Sequence, residues 1–397
     1  MIYLDWAATA RPDVGVMAEA LRLGSEAYGN PSSSHPAGRA AAAFLDSSRA
    51  SLAATLGCSP SEVVFTSGAT ESNWLVISSV IARMRAHSGG RRQLTVVASG
   101  VEHPSVHDNL ELLGSLGAKV RLVGASASGA VSAAELAEQL DPDTVMVLLM
   151  TVNNVTGAIQ PVREVAEAAS AYSREHGRRI VVHTDAVQAL GKIGIDLAGS
   201  GVDTASFSAH KIGGPRGAGA LYVRSGTHLT PLWRGGEQEH GLRPGTENCM
   251  GAAGFAMAAR KHLGALEAGL AHASRLRALL LERLLRIPGC VLLPPRRLDA
   301  PESASSPYIV SFSFPPIPSE VLVRLLASED ICVSSGSACA SRSKEKRERV
   351  YRNMGVPAAL AGSAIRVSTG ADSTEDEVER LAHVLAREVP RLARIAG

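Results

Sequence analysis

Two hydrophobic rhythms alternate along the first half of the chain. Ala-rich stretches at residues 38–56, 71–86, 131–139 and 162–175 have the character of helices. Between and after them lie short β-branched runs at 62–65, 94–98, 119–123, 145–150, 180–182, 204–207 and 220–223. Strands alternating with helices predict a mainly parallel, seven-stranded sheet with helices on both faces. Ligands of such sheets gather at the carboxyl ends of the strands, so the residues just after each run are where chemistry is expected. Beyond a Gly-rich segment at 235–245, small and apolar residues over 250–285 predict a long helix suited to connecting two domains. A strand over 308–314, a helix over 319–327 and a closing amphipathic helix over 374–395 follow, and the Pro-, Arg- and Ser-rich residues 294–307 predict an exposed loop.

Composition narrows the class. With 397 residues the chain is long enough for two domains, and 45% hydrophobic and 20% charged residues suit a globular protein. Lys plus Arg (40) nearly balances Asp plus Glu (38), which argues against a nucleic-acid binder. No apolar run reaches the length of a membrane span, and no basic segment followed by an apolar one marks a secretory signal, so a cytoplasmic location is expected. The five cysteines (Cys58, Cys249, Cys290, Cys332 and Cys339) form no CxxC pair and no disulfide framework, and most are expected to be small buried hydrophobes.

The expected strand ends carry an unusual polar set. His183-Thr184-Asp185 follows one run, with Gln188 three residues further on. Ser208-Ala209-His210-Lys211 follows the next and leads into Gly213-Gly214. Lysine is scarce, occurring only at 119, 192, 211, 261, 344 and 346, and Lys211 alone lies between a strand and a Gly-rich turn. A lysine amine able to condense with an aldehyde, beside a carboxylate able to hold a protonated pyridine nitrogen, is what pyridoxal phosphate requires. Lys211 is the candidate Schiff-base residue, and the alternative is a surface lysine at a strand end. The cofactor's phosphate needs a cradle. Thr66-Ser67-Gly68-Ala69-Thr70-Glu71 passes from strand to helix with small residues whose N–H groups can approach an anion, though taken alone it is equally a helix-capping turn. His103 follows another strand and is placed to stack on a pyridine face. Its alternatives are a polar loop or, with His107, a metal pair that lacks a third ligand.

These segments resemble the cysteine desulfurases that supply sulfur for iron–sulfur clusters and thiolated tRNA, and the resemblance spans almost the whole chain. It rests on Tyr3-Leu4-Asp5-Trp6-Ala7-Ala8-Thr9, Gly29-Asn30-Pro31-Ser32-Ser33, Thr66 to Asn73, Val152-Asn153-Asn154, His183 to Gln188, the Lys211 segment, Arg243 to Asn248, Ser334 to Cys339 and Ile365-Arg366-Val367-Ser368. The resemblance implies the type I fold of pyridoxal-phosphate enzymes. The large domain would cover residues 15–260, a smaller α+β domain would combine 1–14 with 261–397, and the site would lie between them. It also implies roles. Lys211 would bind the cofactor covalently, Asp185 would pair with the pyridine nitrogen, Gln188 would bond the ring hydroxyl and His103 would stack. Ala69, Thr70, Ser208 and His210 would hold the phosphate, joined by Thr246 from a neighbouring subunit, which makes a homodimer the expected assembly. Asn154 and Arg366 would bind the carboxylate of L-cysteine, Arg366 through its planar fork.

Cys339 sits in a polar, Gly-containing loop, whereas Cys332 sits between Ile331 and Val333. Its expected task is to attack the substrate sulfur as a thiolate, leaving alanine and an enzyme persulfide that passes to an acceptor protein, either an iron–sulfur scaffold or a tRNA-thiolating enzyme. No metal of the chain's own is expected, although Cys339 would be free to meet a cluster on a partner. Two stretches depart from the family's usual text. The run from Ser341 to Arg349 is strongly basic, read either as a solvated helix start or as a charge patch that activates Cys339 or docks an acidic acceptor. Val155 stands where an acidic residue often follows Asn154. The competing readings are a selenocysteine lyase or an aminotransferase of the same fold, and, from another class, an inactive sulfur-transfer scaffold.

Overall fold

The computed structural model describes residues 1–86, 93–336 and 344–396. The expected β-branched runs become one sheet, ordered Val63–Thr66, Gly219–Val223, Thr204–Ser208, Val181–Asp185, Thr144–Leu148, Thr95–Ser99 and Lys119–Val123. Neighbours from Thr204–Ser208 to the Lys119–Val123 edge run parallel, and Gly219–Val223 is antiparallel to both of its partners. Strands covered on both faces must be apolar on both, and the parallel central strands are buried at every position. At the edge, Lys119–Val123 is partly exposed. Because Val181–Asp185 and Thr204–Ser208 run parallel and side by side, with Asp185 opposite Ser206, they deliver Asp185 and the turn carrying Lys211 to the same end of the sheet.

The C-terminal third builds a second core. Val291–Leu293, Ile309–Ser313 and Ala364–Ser368 form an antiparallel sheet packed with the helices Leu266–Leu285, Ser319–Ser328 and Glu375–Ala396. The chain's beginning joins this layer, since Ile2–Tyr3 pairs in parallel with Ile331–Cys332 and Leu4 is fully buried in the second core. The segment Asp5–Thr9 is thereby drawn across to the strand end that carries Lys211. Its Trp6 ring lies so close to Gly370 that a Cβ there would sit 2.0 Å from the ring, so only glycine fits.

Three expectations need correction. The long helix over 250–285 is two helices, Cys249–Gly264 and Leu266–Leu285, separated at Ala265, whose backbone (φ −108, ψ 12) leaves the helical region. The helix over 131–139 contracts to Ala133–Ala137, because Ser132 caps it and Val131 bonds instead to Gln160. Residues 294–307 are not simply an exposed loop. Arg297 is buried and donates to the Thr156 carbonyl at 2.7 Å and the Ile309 carbonyl at 2.9 Å, and Ser306 is fully enclosed.

The strap leading from the large sheet into Cys249–Gly264 is pinned by a buried ion pair. Arg49 meets Glu239 through two hydrogen bonds of 2.7 Å, lies 4.9 Å over the Phe65 ring, and also donates to the Val63 carbonyl. Glu239 accepts the Phe65 N–H as well, and its backbone is held at φ 49. Removing one member of such a pair leaves a buried charge alone. Arg49→Ala is expected to lower unfolding stability by about 3–5 kcal/mol, read from the denaturant midpoint, whereas a surface change such as Arg22→Ala should leave the midpoint nearly unchanged.

Candidate functional site

A cavity of about 410 Å³ opens at the carboxyl ends of the large sheet's strands. Its walls include Ala69, Thr70, His103, Asn154, Asp185, Gln188, Ser208, His210 and Lys211, brought together from turns far apart in sequence. Thr246 is exposed on the strap and does not line the cavity. Arg366 is fully buried beside it, and Cys339 lies outside the described residues.

The turn expected to cradle an anion lies where Val63–Thr66 passes into the helix Ala69–Ala86. At the turn Gly68 adopts φ 154, and Gly219 of the neighbouring strand packs so tightly that a Cβ on it would lie 2.4 Å from the Gly68 Cα. The bare backbone lets the N-terminus of an 18-residue helix face the cavity. Glu71 shapes this turn by accepting the Ser67 N–H and the Arg243 Nε–H, the latter at 3.0 Å. Ser208 and His210 approach from the other side. Burial, with the charges of Lys211 and Arg216 nearby, pushes the His210 ring down to about 4, so near neutral pH it serves as an uncharged hydrogen-bonding group, its Nδ1 3.0 Å from the Thr9 hydroxyl.

Asp185 is held at the floor by a relay that sequence alone did not assign. Asn73 donates through Nδ2 to Asp185 Oδ2 at 3.0 Å, and the Val187 N–H donates to Oδ1. The Asn73 carbonyl oxygen then faces His183 Nε2 at 2.9 Å, while His183 Nδ1 faces the Thr204 hydroxyl at 2.8 Å. Burial pushes His183 down to about 3, so the ring is neutral; Nε2 carries the proton toward Asn73 and Nδ1 accepts from Thr204. The carboxylate thus keeps a fixed orientation with its remaining acceptor capacity toward the cavity.

His103 caps the helix Pro104–Ser115, its Nδ1 accepting the Ser105 N–H at 3.1 Å and lying 2.8 Å from the Ser105 hydroxyl, which also accepts from Asn73. Burial lowers its pKa, against the pull of Asp185, so the ring is neutral with its proton on Nε2. His107 turns instead toward Asp108 and Glu111, so the pairing of His103 with His107 as metal ligands does not form. Next to His103, the wholly buried Glu102 accepts from the Ser99 hydroxyl and the Met150 N–H, and burial pushes it up to about 7.

Lys211 projects from the short turn Ala209–Ile212, and its amine donates to the Ala7 and Ala8 carbonyls at 2.7 Å each. Gln188 Nε2 shares the Ala7 carbonyl at 2.9 Å. The N-terminal segment is therefore a wall of the site, a role its motif did not disclose. Arg366 also meets this segment: Nη2 pairs with Asp5 at 2.6 Å, Nη1 donates to the Asn154 carbonyl at 2.9 Å, and Nε is buried without a partner. An orphaned buried donor beside a cavity suits an incoming carboxylate.

The basic run is not simply a solvated helix start. Arg349 on the helix Lys344–Arg352 reaches back to the carbonyls of Gly100 at 2.9 Å and Glu102 at 2.5 Å, tying that helix to the His103 turn. Residues 341–343 and the side chains of 344–347 lie outside the described residues. The described cysteines, expected to be mostly buried, are all half-buried. Burial pushes the Cys58 thiol up to about 11 and Cys290 to about 12, and raises Cys249, so these stay protonated and unreactive near neutral pH.

Residues 2–381 match the class-V aminotransferase family. The cysteine desulfurase IscS of Dictyoglomus turgidum is 33% identical over 395 residues, covering 100% of this chain and 96% of that protein. Among solved structures, a NifS-like protein is 36% identical with a TM-score of 0.87, covering 98% of this chain and 100% of the other. SspA in complex with cysteine is 28% identical with a TM-score of 0.78, over 93% of this chain and 99% of that one.

Proposed function

The chain belongs to the class-V aminotransferase family and is a pyridoxal-phosphate-dependent cysteine desulfurase, and from that premise we propose how its own residues divide the work. The residues around the cavity fit the cofactor chemically. A bare-backbone helix N-terminus with Thr70, Ser208 and His210 suits a phosphate, buried Asp185 suits a pyridinium, and Lys211 suits a carbonyl carbon. When bound, pyridoxal phosphate supplies an electron sink for the substrate Cα. Lys211 holds the cofactor and, once released, is placed to move a proton at Cα. Asp185, braced by Asn73, keeps the ring nitrogen protonated. His103 covers the ring face, and Gln188 serves the ring oxygen.

Arg366 and Asn154 take the cysteine carboxylate. The observation that carries this assignment is the buried, unpartnered Nε of Arg366. The Asp5 carboxylate and the Asn154 carbonyl orient the guanidinium, and its Nε–H is the donor left to the substrate. Cys339 then attacks the substrate sulfur as a thiolate: an S–S bond forms, the substrate C–S bond breaks, and alanine leaves a persulfide on the enzyme. The sulfur passes to an acceptor protein for iron–sulfur cluster assembly or thio-modification.

We further propose a cytoplasmic homodimer. Among the described residues no helix is long and apolar enough to cross a membrane. Val14, Leu21, Tyr28 and Met250 expose large apolar surfaces, and Thr246 is exposed on the strap, available to a second subunit's phosphate site.

The reaction is tested by product analysis. Cysteine with a thiol acceptor is expected to give alanine and sulfide in equal amounts. 3-Mercaptopyruvate, the keto acid of cysteine with its C–S bond intact, in place of alanine would instead indicate an aminotransferase. Turnover of selenocysteine alone would indicate a lyase, and no product at all would indicate a scaffold.

A further inference from the structure

We propose that Lys192 is a positioning residue that fixes the orientation of the Gln188 amide and, through it, the hydrogen bond offered to the cofactor's ring oxygen. The proposal rests on the assignment of Gln188 to that oxygen.

Lys192 lies four residues after Gln188 in a compact turn closed by N–H bonds from Ala189 and Leu190 to Ala186 and from Lys192 and Ile193 to Ala189. Its side chain is buried, and its Nζ donates to Gln188 Oε1 at 2.7 Å. Among the described residues no carboxylate is ion-paired with it. Lys211 comes from the turn after Thr204–Ser208 and Arg366 from Ala364–Ser368; both charges oppose its protonation. The His262 ring from Cys249–Gly264 and the His210 ring in turn feel its charge. Burial and these cations pull Lys192 down to about 7.

An amide carries an acceptor at one end and donors at the other, and which end points where follows from its partners. Lys192 Nζ donates to Oε1 and so claims that end of the amide. Nε2 gives one N–H to the Ala7 carbonyl at 2.9 Å, and its second N–H remains for the cavity that Gln188 lines. A ring oxygen that carries negative charge is stabilised by such a donor and opposed by an amide oxygen. Without Lys192 only the Ala7 carbonyl opposes the flipped amide that would present Oε1 instead. The same Ala7 carbonyl accepts the Lys211 amine, so amide orientation and the lysine's seat share one anchor.

The test reads the bound cofactor's visible absorbance band in the intact holoenzyme, together with cofactor retention on dialysis. Lys192→Met is expected to shift the pH midpoint of that band upward by about one unit, the equivalent of a tenfold change, and to weaken retention. Lys192→Arg, which still only donates, should titrate like the parent. Gln188→Glu keeps the Lys192 bond but removes the donor from the cavity, and should shift the midpoint in the same direction even if Lys192→Met fails to fold. In the Gln188→Ala background, Lys192→Met should add nothing. An unshifted Gln188→Ala would sink the assignment of Gln188 itself. A shifted Gln188→Ala beside a parent-like Lys192→Met, or fully additive effects, would overturn the role of Lys192 alone.

Discussion

Lys211→Ala is expected to remove the cofactor's visible absorbance band and to lower alanine formation from cysteine on the order of 10⁴-fold or more, as loss of a covalent catalyst does. The geometry makes the effect specific. Lys211 is one of six lysines, and its amine is placed in the site by the Ala7 and Ala8 carbonyls at 2.7 Å. The other lysine within reach, Lys192, is engaged with Gln188 and cannot take its place without breaking that bond. The phosphate cradle and Asp185 are untouched by the change, so the variant should still bind the cofactor, non-covalently and more weakly. Retention of both the band and the activity in Lys211→Ala would refute the assignment.

Cys339→Ser should separate the two halves of the reaction. Cofactor binding and the spectral response to added cysteine should survive, because neither needs the thiol. Persulfide on the enzyme and alanine release should fall by roughly 10³-fold or more, since a hydroxyl is a far poorer nucleophile toward sulfur than a thiolate. Mass spectrometry after a single turnover checks this: the parent gains one sulfur atom on Cys339, and the variant gains none. Cys58, pushed up to about 11 by burial, and Cys290, pushed up to about 12, offer no substitute. Cys339 itself lies outside the described residues, but both flanks are tied to the site. Ser334 is bridged to Arg366 through paired backbone bonds of 2.7 and 3.2 Å, and Arg349 clasps the turn carrying His103. Persulfide on any other cysteine of the parent would refute the assignment.

Much of the site was legible because its chemistry is local. A lysine between a strand and a glycine-rich turn, a carboxylate at a strand exit and a small-residue turn into a helix are each written within a few residues, and the parallel sheet collects strand exits at one end by its topology. The β-branched runs identified the strands for the same reason: burial on both faces demands apolar residues locally.

What the sequence did not disclose has a common character. The Asn73 bond to Asp185 spans 112 residues, Arg243 to Glu71 spans 172, Arg49 to Glu239 spans 190, and Arg366 to Asp5 spans 361. Arg297 reads as part of an exposed loop, yet it is buried against two carbonyls. The Ser341–Arg349 run reads as charge, yet Arg349 works as a tether.

The sequence by itself determined the layered α/β architecture and singled out the lysine, the carboxylate and the small-residue turn that line one cavity, as well as the candidate sulfur-carrying cysteine. Hydrophobic period and backbone permissiveness act over short stretches of chain and are visible there. The tertiary structure alone decided which buried polar groups meet, that the N-terminal segment walls the cavity, and that Lys192 bonds Gln188. A buried donor or charge is stable only opposite a partner, and the fold, not spacing along the chain, chooses that partner.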